Sequence, residues 1–207
     1  MQSKRDLIVE PIAVEQEALP KPIDWAALFG NEKPVELEIG CGKGTFLTRQ
    51  AKARKDTNFF GIEWARFYWR TMCDRLRRNG CADNARAIRA DASLFVKDYV
   101  ADDSLAAVHI YFPDPWPKAR HHKRRLIQPE FLVEVQRMLK VGGRVQVVTD
   151  HADYWQHIEP TFKGGPMRIV EYQHPGDTAE GEVVGTNFER KYIAEGRTFH
   201  SIAAVKE

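Results

Sequence analysis

The feature that most limits the fold is Glu38-Ile39-Gly40-Cys41-Gly42-Lys43-Gly44, which follows directly on the run Val35-Glu36-Leu37-Glu38-Ile39. A short aliphatic, β-branched run reads as a strand. Glycines at its exit let the chain turn sharply into a helix, here starting near Gly44. Strand, glycine turn and helix in that order open a β/α unit of a parallel sheet. The same rhythm continues, with strands expected over 58–62, 85–89, 105–112 and 144–148. Helices are expected over about 65–78, over 129–139 with Pro129 in the first turn and Gly142-Gly143 as the stop, and over 154–162. A strand over 167–172, a polar loop, a short helical segment near Asn187 and a final strand over 199–205 complete the pattern. The expected fold is α/β: a doubly wound, Rossmann-like sheet of about seven strands, mostly parallel with an antiparallel last strand. Residues 1–34 carry Pro11, Pro20, Pro22 and Pro34 with weak periodicity. They read as an N-terminal arm that can stay flexible or be ordered in part through Trp25, Leu28 and Phe29, ahead of a domain over 35–207.

A chain of 207 residues suits one domain with a sizeable core. No apolar run approaches the roughly 20 residues that span a bilayer, and the first residues lack the apolar core of a signal peptide. A cytoplasmic location, away from any membrane, is the expectation. Cys41, Cys73 and Cys81 are odd in number and lack C-x-x-C spacing, which argues against a disulfide framework or a zinc site. His151 and His157 show no third ligand, so no metal is expected and both read as surface or packing residues. Net charge is only +2, but its distribution is uneven. Lys118, Arg120, Lys123, Arg124 and Arg125 fall together with His121 and His122. Arg66, Arg70, Arg75, Arg77 and Arg78 share one expected helix. The first cluster is dense enough to match a polyanion; the second reads equally well as an exposed helix face.

A glycine loop at a helix N-terminus serves dinucleotides or S-adenosylmethionine. Here the spacing is G-x-G-x-G over Gly40, Gly42 and Gly44, whereas the dinucleotide fingerprint is G-x-G-x-x-G. Glu38 precedes the first glycine by two positions; it would repel a pyrophosphate but could orient water or the amino group of a methionine moiety. Glu63 ends the second strand, about 20 residues on, where a carboxylate can accept from both ribose hydroxyls. Asp91 ends the third strand and either accepts from the adenine amino group or caps the next helix. These positions favour S-adenosylmethionine.

The fourth strand runs into Tyr111-Phe112-Pro113-Asp114-Pro115-Trp116-Pro117-Lys118. Prolines fix the backbone on both sides of Asp114, and Trp116 offers a stacking face. The element is similar to the Asp/Asn-Pro-Pro-Tyr loop of methyltransferases acting on planar nitrogens. Its bland alternative is a rigid loop with an aromatic plug. Thr186-x-x-Glu189 fits a capping box on spacing alone.

Taken together, Glu38 to Gly44, Gly61-Ile62-Glu63, the run Phe112 to Arg125 and Thr149-Asp150 closely resemble the bacterial tRNA (guanine-N7-)-methyltransferase family, over about residues 35–207. The proline-rich basic element is the specific part; the glycine loop is shared by the whole class I methyltransferase fold. The resemblance implies methyl transfer from S-adenosylmethionine to N7 of a guanine in tRNA, guanine 46 of the variable loop. It implies cofactor contacts by Glu38, Glu63, Asp91 and Asp114, with Asp114 also catalytic. Lys118, Asp150, Thr186, Asn187, Phe188 and Glu189 are implied to bind the target nucleoside, and Arg120, His121, His122, Lys123, Arg124 and Arg125 to contact RNA. Asp150 has a second reading as the cap of the following helix. The rival functions are an amino-group methyltransferase and a non-catalytic RNA-binding module; whether the chain is a monomer or a homodimer is not set by its sequence.

Overall fold

Short buried strands alternating with amphipathic helices give a single sheet covered on both faces. The computed structural model describes residues 6–175 and 183–207. Its strands are β1 (Ala13–Val14), β2 (Val35–Ile39), β3 (Asn58–Ile62), β4 (Ala85–Ile88), β5 (Leu105–Tyr111), β6 (Leu139–Thr149), β7 (Arg168–Val170) and β8 (His200–Val205). The helices are α1 (Trp25–Phe29), α2 (Thr45–Ala53), α3 (Arg66–Arg78), α4 (Ala92–Tyr99), α5 (Pro129–Met138), α6 (Ala152–Lys163) and α7 (Asn187–Ala194). Strand order is β1-β4-β3-β2-β5-β6-β8-β7. Every pair from β1 to β6 is parallel, and β8 lies antiparallel between β6 and β7. The chain runs outward from β2 to β3 and β4, then returns to lay β5 on the other side of β2. The switch point therefore falls between β2 and β5, where open α/β sheets bind ligands at the strands' carboxyl ends.

The two-residue period of β2 sorts its side chains between the faces. Val35, Leu37 and Ile39 join Phe60, Ile62, Phe95, Leu132 and Tyr154 in the core beneath α1, α4, α5 and α6. On the opposite face Phe59 packs with Leu47, Ala51, Met72 and Leu76 of α2 and α3. Glu36 and Glu38 alternate with the aliphatic residues and so point toward this second layer. Burial alone would raise the Glu36 carboxyl; hydrogen bonds from His109 and Arg54 outweigh that and hold it at about 2. His109 Nε2 lies 3.0 Å from Glu36 Oε2, and Arg54 reaches both carboxylate oxygens at 2.5 and 2.9 Å.

Three details differ from the sequence reading. Gly142-Gly143 does not stop α5, which ends at Met138 with Leu139 as its C-cap; the glycines lie inside β6. A Cβ on Gly143 would come within 2.7 Å of the Lys140 carbonyl and 3.2 Å of the Ala106 carbonyl, so this glycine serves close strand approach at the irregular start of the β5–β6 ladder. His151, not Asp150, caps α6, its ring nitrogen accepting from the Tyr154 amide at 3.3 Å. The sheet also carries β1, which no sequence pattern announced. β1 pairs with β4, and Ile12, Ile23 and Phe29 from the segment ahead of β2 are buried. Among the described residues no helix is long and apolar enough to cross a membrane.

Candidate active site

The glycine loop turns over the carboxyl end of β2 with Gly40, Gly42 and Gly44 all at positive φ, at +77°, +54° and +67°. Gly44 is doubly constrained, because a Cβ there would also lie 2.5 Å from the Met72 Cγ. Gly61 in β3 performs the matching service from below: its hypothetical Cβ meets Cys41 Sγ at 2.8 Å and Leu47 Cδ2 at 2.9 Å. The small Cys41 side chain is pinned in that gap by contacts to the Glu38 and Ile62 carbonyls at 3.2 and 3.5 Å.

Glu63 props the loop from the next strand. One carboxylate oxygen accepts from the Gly42 amide and the other from the Ala65 amide, both at 2.8 Å. Its carboxyl is raised by burial, against the lowering effect of those amides, and the charge of Asp114 raises it further. Glu38 is almost fully buried, and its Oε2 has no hydrogen-bond partner among the described residues. Burial, reinforced by the Glu63 charge, pushes its carboxyl up to about 8 despite a compensating contact with Cys41. An unpartnered buried carboxylate oxygen is costly unless something positive meets it. The cavity it faces is lined by Gly40, Cys41, Lys43, Phe46, Tyr68, Tyr111, Phe112 and Thr186 among others.

Asp91 lies at the same sheet edge but in a second cavity with Trp64, Arg89 and Leu94. It caps α4: Oδ1 accepts from the Ser93 amide at 3.0 Å, the Ser93 hydroxyl at 2.7 Å and the Leu94 amide at 3.4 Å. Its Oδ2 has no partner among the described residues. Trp64 is two-thirds exposed and lines this cavity, with the Arg89 guanidinium 5.8 Å from its ring centroid.

Asp114 is exposed on a loop held at both ends. Phe112 and Trp116 take φ of +52° and +44°, a conformation that costs non-glycine residues free energy and persists only when the surroundings impose it. The Phe112 amide bonds to the Val148 carbonyl at 2.8 Å. Arg125 holds the far side, donating from Nε to the Pro115 carbonyl at 2.9 Å, pairing with Asp153 and lying 4.9 Å from the Tyr154 ring centroid. Arg125 is thus buried and used up inside the protein. It stands apart from Arg120, Lys123 and Arg124, which are exposed on the 3-10 turn Ala119–Arg124. Lys118 is exposed just ahead of that turn. His121 meets the Trp116 ring edge-on and Arg124 lies 5.1 Å over it, while His122 packs against Arg125 at 3.1 Å.

The Thr186–Glu189 element is a complete capping box: the Glu189 amide donates to Thr186 Oγ1 at 3.1 Å and the Thr186 amide to Glu189 Oε2 at 3.4 Å. The fully buried Glu189 carboxylate also accepts from the amides of Val183, Val184 and Gly185. Three of these amides share Oε2 and one meets Oε1, so backbone holds the carboxylate in place. Asn187 and Phe188 open α7, and their side chains lie outside the described part. Asp150 pairs with Arg197 at 2.5 Å. Of the cavity residues, Lys43, Tyr111 and Phe112 lie within the motifs read from sequence, whereas Phe46, Tyr68 and Lys191 carried no sequence signal; Tyr68 sits in a run of aromatics too dense to point to one helix face.

The switch-point cleft and its carboxylate-edged glycine loop are those of a Rossmann-like methyltransferase. Residues 32–202 match a family model described as "Putative methyltransferase". Solved structures of the same fold include an antibiotic-related methyltransferase (18% identity, TM-score 0.62, 87% of this chain and 92% of that one) and a 30S ribosomal A1408 methyltransferase from an uncultured bacterium (15% identity, TM-score 0.59, 88% and 92%). A tRNA (guanine-N(7)-)-methyltransferase of Geobacter metallireducens is 36% identical over 198 residues, covering 94% of this chain and 92% of that one. One of Bordetella parapertussis is 43% identical over 148 residues, 72% of this chain, which spans 58% of that relative's length. The chain belongs to the tRNA (guanine-N(7)-)-methyltransferase family.

Proposed function

We propose that the chain transfers a methyl group from S-adenosylmethionine to N7 of a guanine in tRNA, guanine 46 of the variable loop. The observation that carries this reading is the buried, unpartnered Oε2 of Glu38 beside the glycine loop, a site made for a cationic amino group. Family membership selects the acceptor.

In this reading Glu38 holds the amino group of the methionine moiety, and the loop from Gly40 to Gly44 lets that moiety approach the backbone. Glu63 accepts from the ribose hydroxyls with the lone pairs its two amide bonds leave open. The partnerless Oδ2 of Asp91 accepts from the adenine amino group beside Trp64. The cofactor supplies an electrophilic methyl on a sulfonium. Guanine N7 has a lone pair and no proton, so the protein needs no general base for the transfer. Its task is to hold the base in line and exclude water. Methylation leaves the base positively charged, and Asp114, fixed between two strained residues, stabilises that charge. Lys118, Arg120, Lys123 and Arg124 meet the RNA backbone, Trp116 is carried between them, and Arg125 positions the loop without touching RNA.

The test is incubation of the purified protein with unmodified tRNA and labelled S-adenosylmethionine, followed by nucleoside analysis and aniline cleavage to map the modified position. N7-methylguanine at position 46 is the expected product. Label in adenine, or none in RNA, refutes the reading.

A further inference from the structure

The methionine end of S-adenosylmethionine carries two opposite charges on one carbon, and Glu38 answers only the positive one. Glu63 and Asp114, the other acids of the site, repel a carboxylate. A group that receives it must come from the positive side of the cavity that Glu38 shares with Lys43, Thr45 and Phe46.

α2 begins there. Its N-cap is Gly44, which has no side chain to accept from the first turn, so the helix opens with uncapped amides and the positive end of its dipole. The Leu47 amide is directed to Glu38, which leaves those of Thr45 and Phe46. Behind Thr45 stands Arg75 of α3, whose Nη1 donates to Thr45 Oγ1 at 2.8 Å. A guanidinium has no lone pair to offer. The Thr45 hydroxyl therefore accepts from Arg75 and keeps its own proton for an acceptor in the cavity. Among the described residues no carboxylate pairs with Arg75; Asp74 beside it is taken by Arg77 and Arg78, each at 2.9 Å. Burial, and then the Arg78 charge, lower the Arg75 pKa from its ordinary value, as befits a half-buried cation without a counter-charge. The arrangement is held firmly, since Met72, one turn before Arg75, fills the space over Gly44. Lys43 and Lys191 also line the cavity, but both are exposed, and Lys191 has Glu195 at 3.6 Å. Solvent screens such charges, so they discriminate weakly between ligands.

Resting on the proposed function above, we infer that Thr45, with Arg75 as its positioning residue, binds the carboxylate of the cofactor's methionine moiety and thereby selects the methyl donor. The competitor it excludes is decarboxylated S-adenosylmethionine, which has the same adenine, ribose, sulfonium and ammonium but nothing for Thr45 to hold. Glu38 and Thr45 thus read the two charges of the amino acid separately, one from β2 and one from α2.

Titration calorimetry on the full chain compares S-adenosylmethionine with its decarboxylated form. The wild type should favour the first by roughly 100-fold, the worth of one to two charge-assisted hydrogen bonds. T45V and R75Q should each lower that preference by roughly 10-fold, weakening S-adenosylmethionine while the decarboxylated form binds as before. T45S keeps the hydroxyl and should keep the preference. The ratio is the decisive readout, because a fold that is merely loosened loses both ligands together. A wild type that binds the two donors equally overturns the inference and leaves the proposed function standing, as does T45V or R75Q with the wild-type ratio; T45V decides alone where R75Q fails to fold. A wild type that binds neither donor overturns both.

Discussion

The buried carboxyl of Glu38, whose Oε2 has no partner among the described residues, has a measurable consequence for the free protein. Burial holds its proton up to about pH 8, against an ordinary value of 4.5. The unfolded chain releases that proton near 4.5, so between 4.5 and 8 the folded state binds more protons. Stability therefore falls as pH rises through this window and levels off above it. At about 1.4 kcal/mol per pH unit, the gap amounts to about 5 kcal/mol of stability forfeited by pH 8. For a chain of this length 1 kcal/mol corresponds to about 2–4 °C in Tm, so the effect reaches roughly 10–20 °C. Glu38→Gln mimics the protonated form in shape and charge and cannot ionise. Its Tm should track wild type below about pH 5 and exceed it increasingly up to pH 9, by roughly 10 °C or more. Calorimetric melts across that range provide the assay. S-adenosylmethionine should nevertheless bind the variant poorly, because its ammonium group would require the ionised carboxylate. In the wild type near pH 6.5 its binding should release close to one proton, read from titrations in buffers of differing ionisation enthalpy. Parallel wild-type and variant melting curves from pH 5 to 9 would refute the reasoning, since Glu38 would then be ionised in the free fold.

Two further outcomes follow from contacts elsewhere. Glu189→Gln replaces an acceptor oxygen with a donor that faces backbone amides; it should cost about 3 kcal/mol, or roughly 5–10 °C in Tm, and an unchanged melt would show that the box at α7 is dispensable. In salt titrations of tRNA affinity, Arg120→Ala, Lys123→Ala and Arg124→Ala should each reduce the log–log slope by about 1. Arg125→Ala should leave that slope alone and lower kcat by loosening the Asp114 loop. A slope loss at Arg125 equal to the others would mean that it leaves its buried pocket to reach RNA.

The parts of this molecule legible in its sequence are those fixed locally. β2 and β3 are buried throughout and bounded by turn residues, so their apolar runs give them away. Gly40, Gly42 and Gly44 announce a turn because three positive-φ positions tolerate little else. The spacing of Thr186 and Glu189 announced the cap, which is present, while the base contact came from the family resemblance; the amides of 183–185 that fold over the carboxylate carried no sequence signal. Gly142-Gly143 carries the signature of a helix stop, yet it serves a turn within β6: Gly142 takes φ of +79°, and a Cβ on Gly143 would meet the Lys140 carbonyl and then the β5 backbone. Arg125 is indistinguishable in sequence from its basic neighbours. Asp153 and Tyr154, on a helix some 28 residues further on, together with the Pro115 carbonyl turn it inward. Arg197 carried no sequence signal at all, because its partner Asp150 is brought alongside by the antiparallel β8.

The Glu36–His109 pair has a bearing on how the sheet finds its alignment. β2 lies on β5 with Glu38 opposite His109, and the carboxylate two residues back reaches across to the imidazole. Sliding β2 by one residue would flip its side chains to the other face and carry Glu36 and Glu38 into the core that holds Phe60 and Ile110. Isolating such a buried charge costs about 3–5 kcal/mol, comparable to a large share of a domain's net stability. The hydrogen-bonded contact thus works as a proofreader for the central ladder, and the cleft between these two strands inherits its shape from that check.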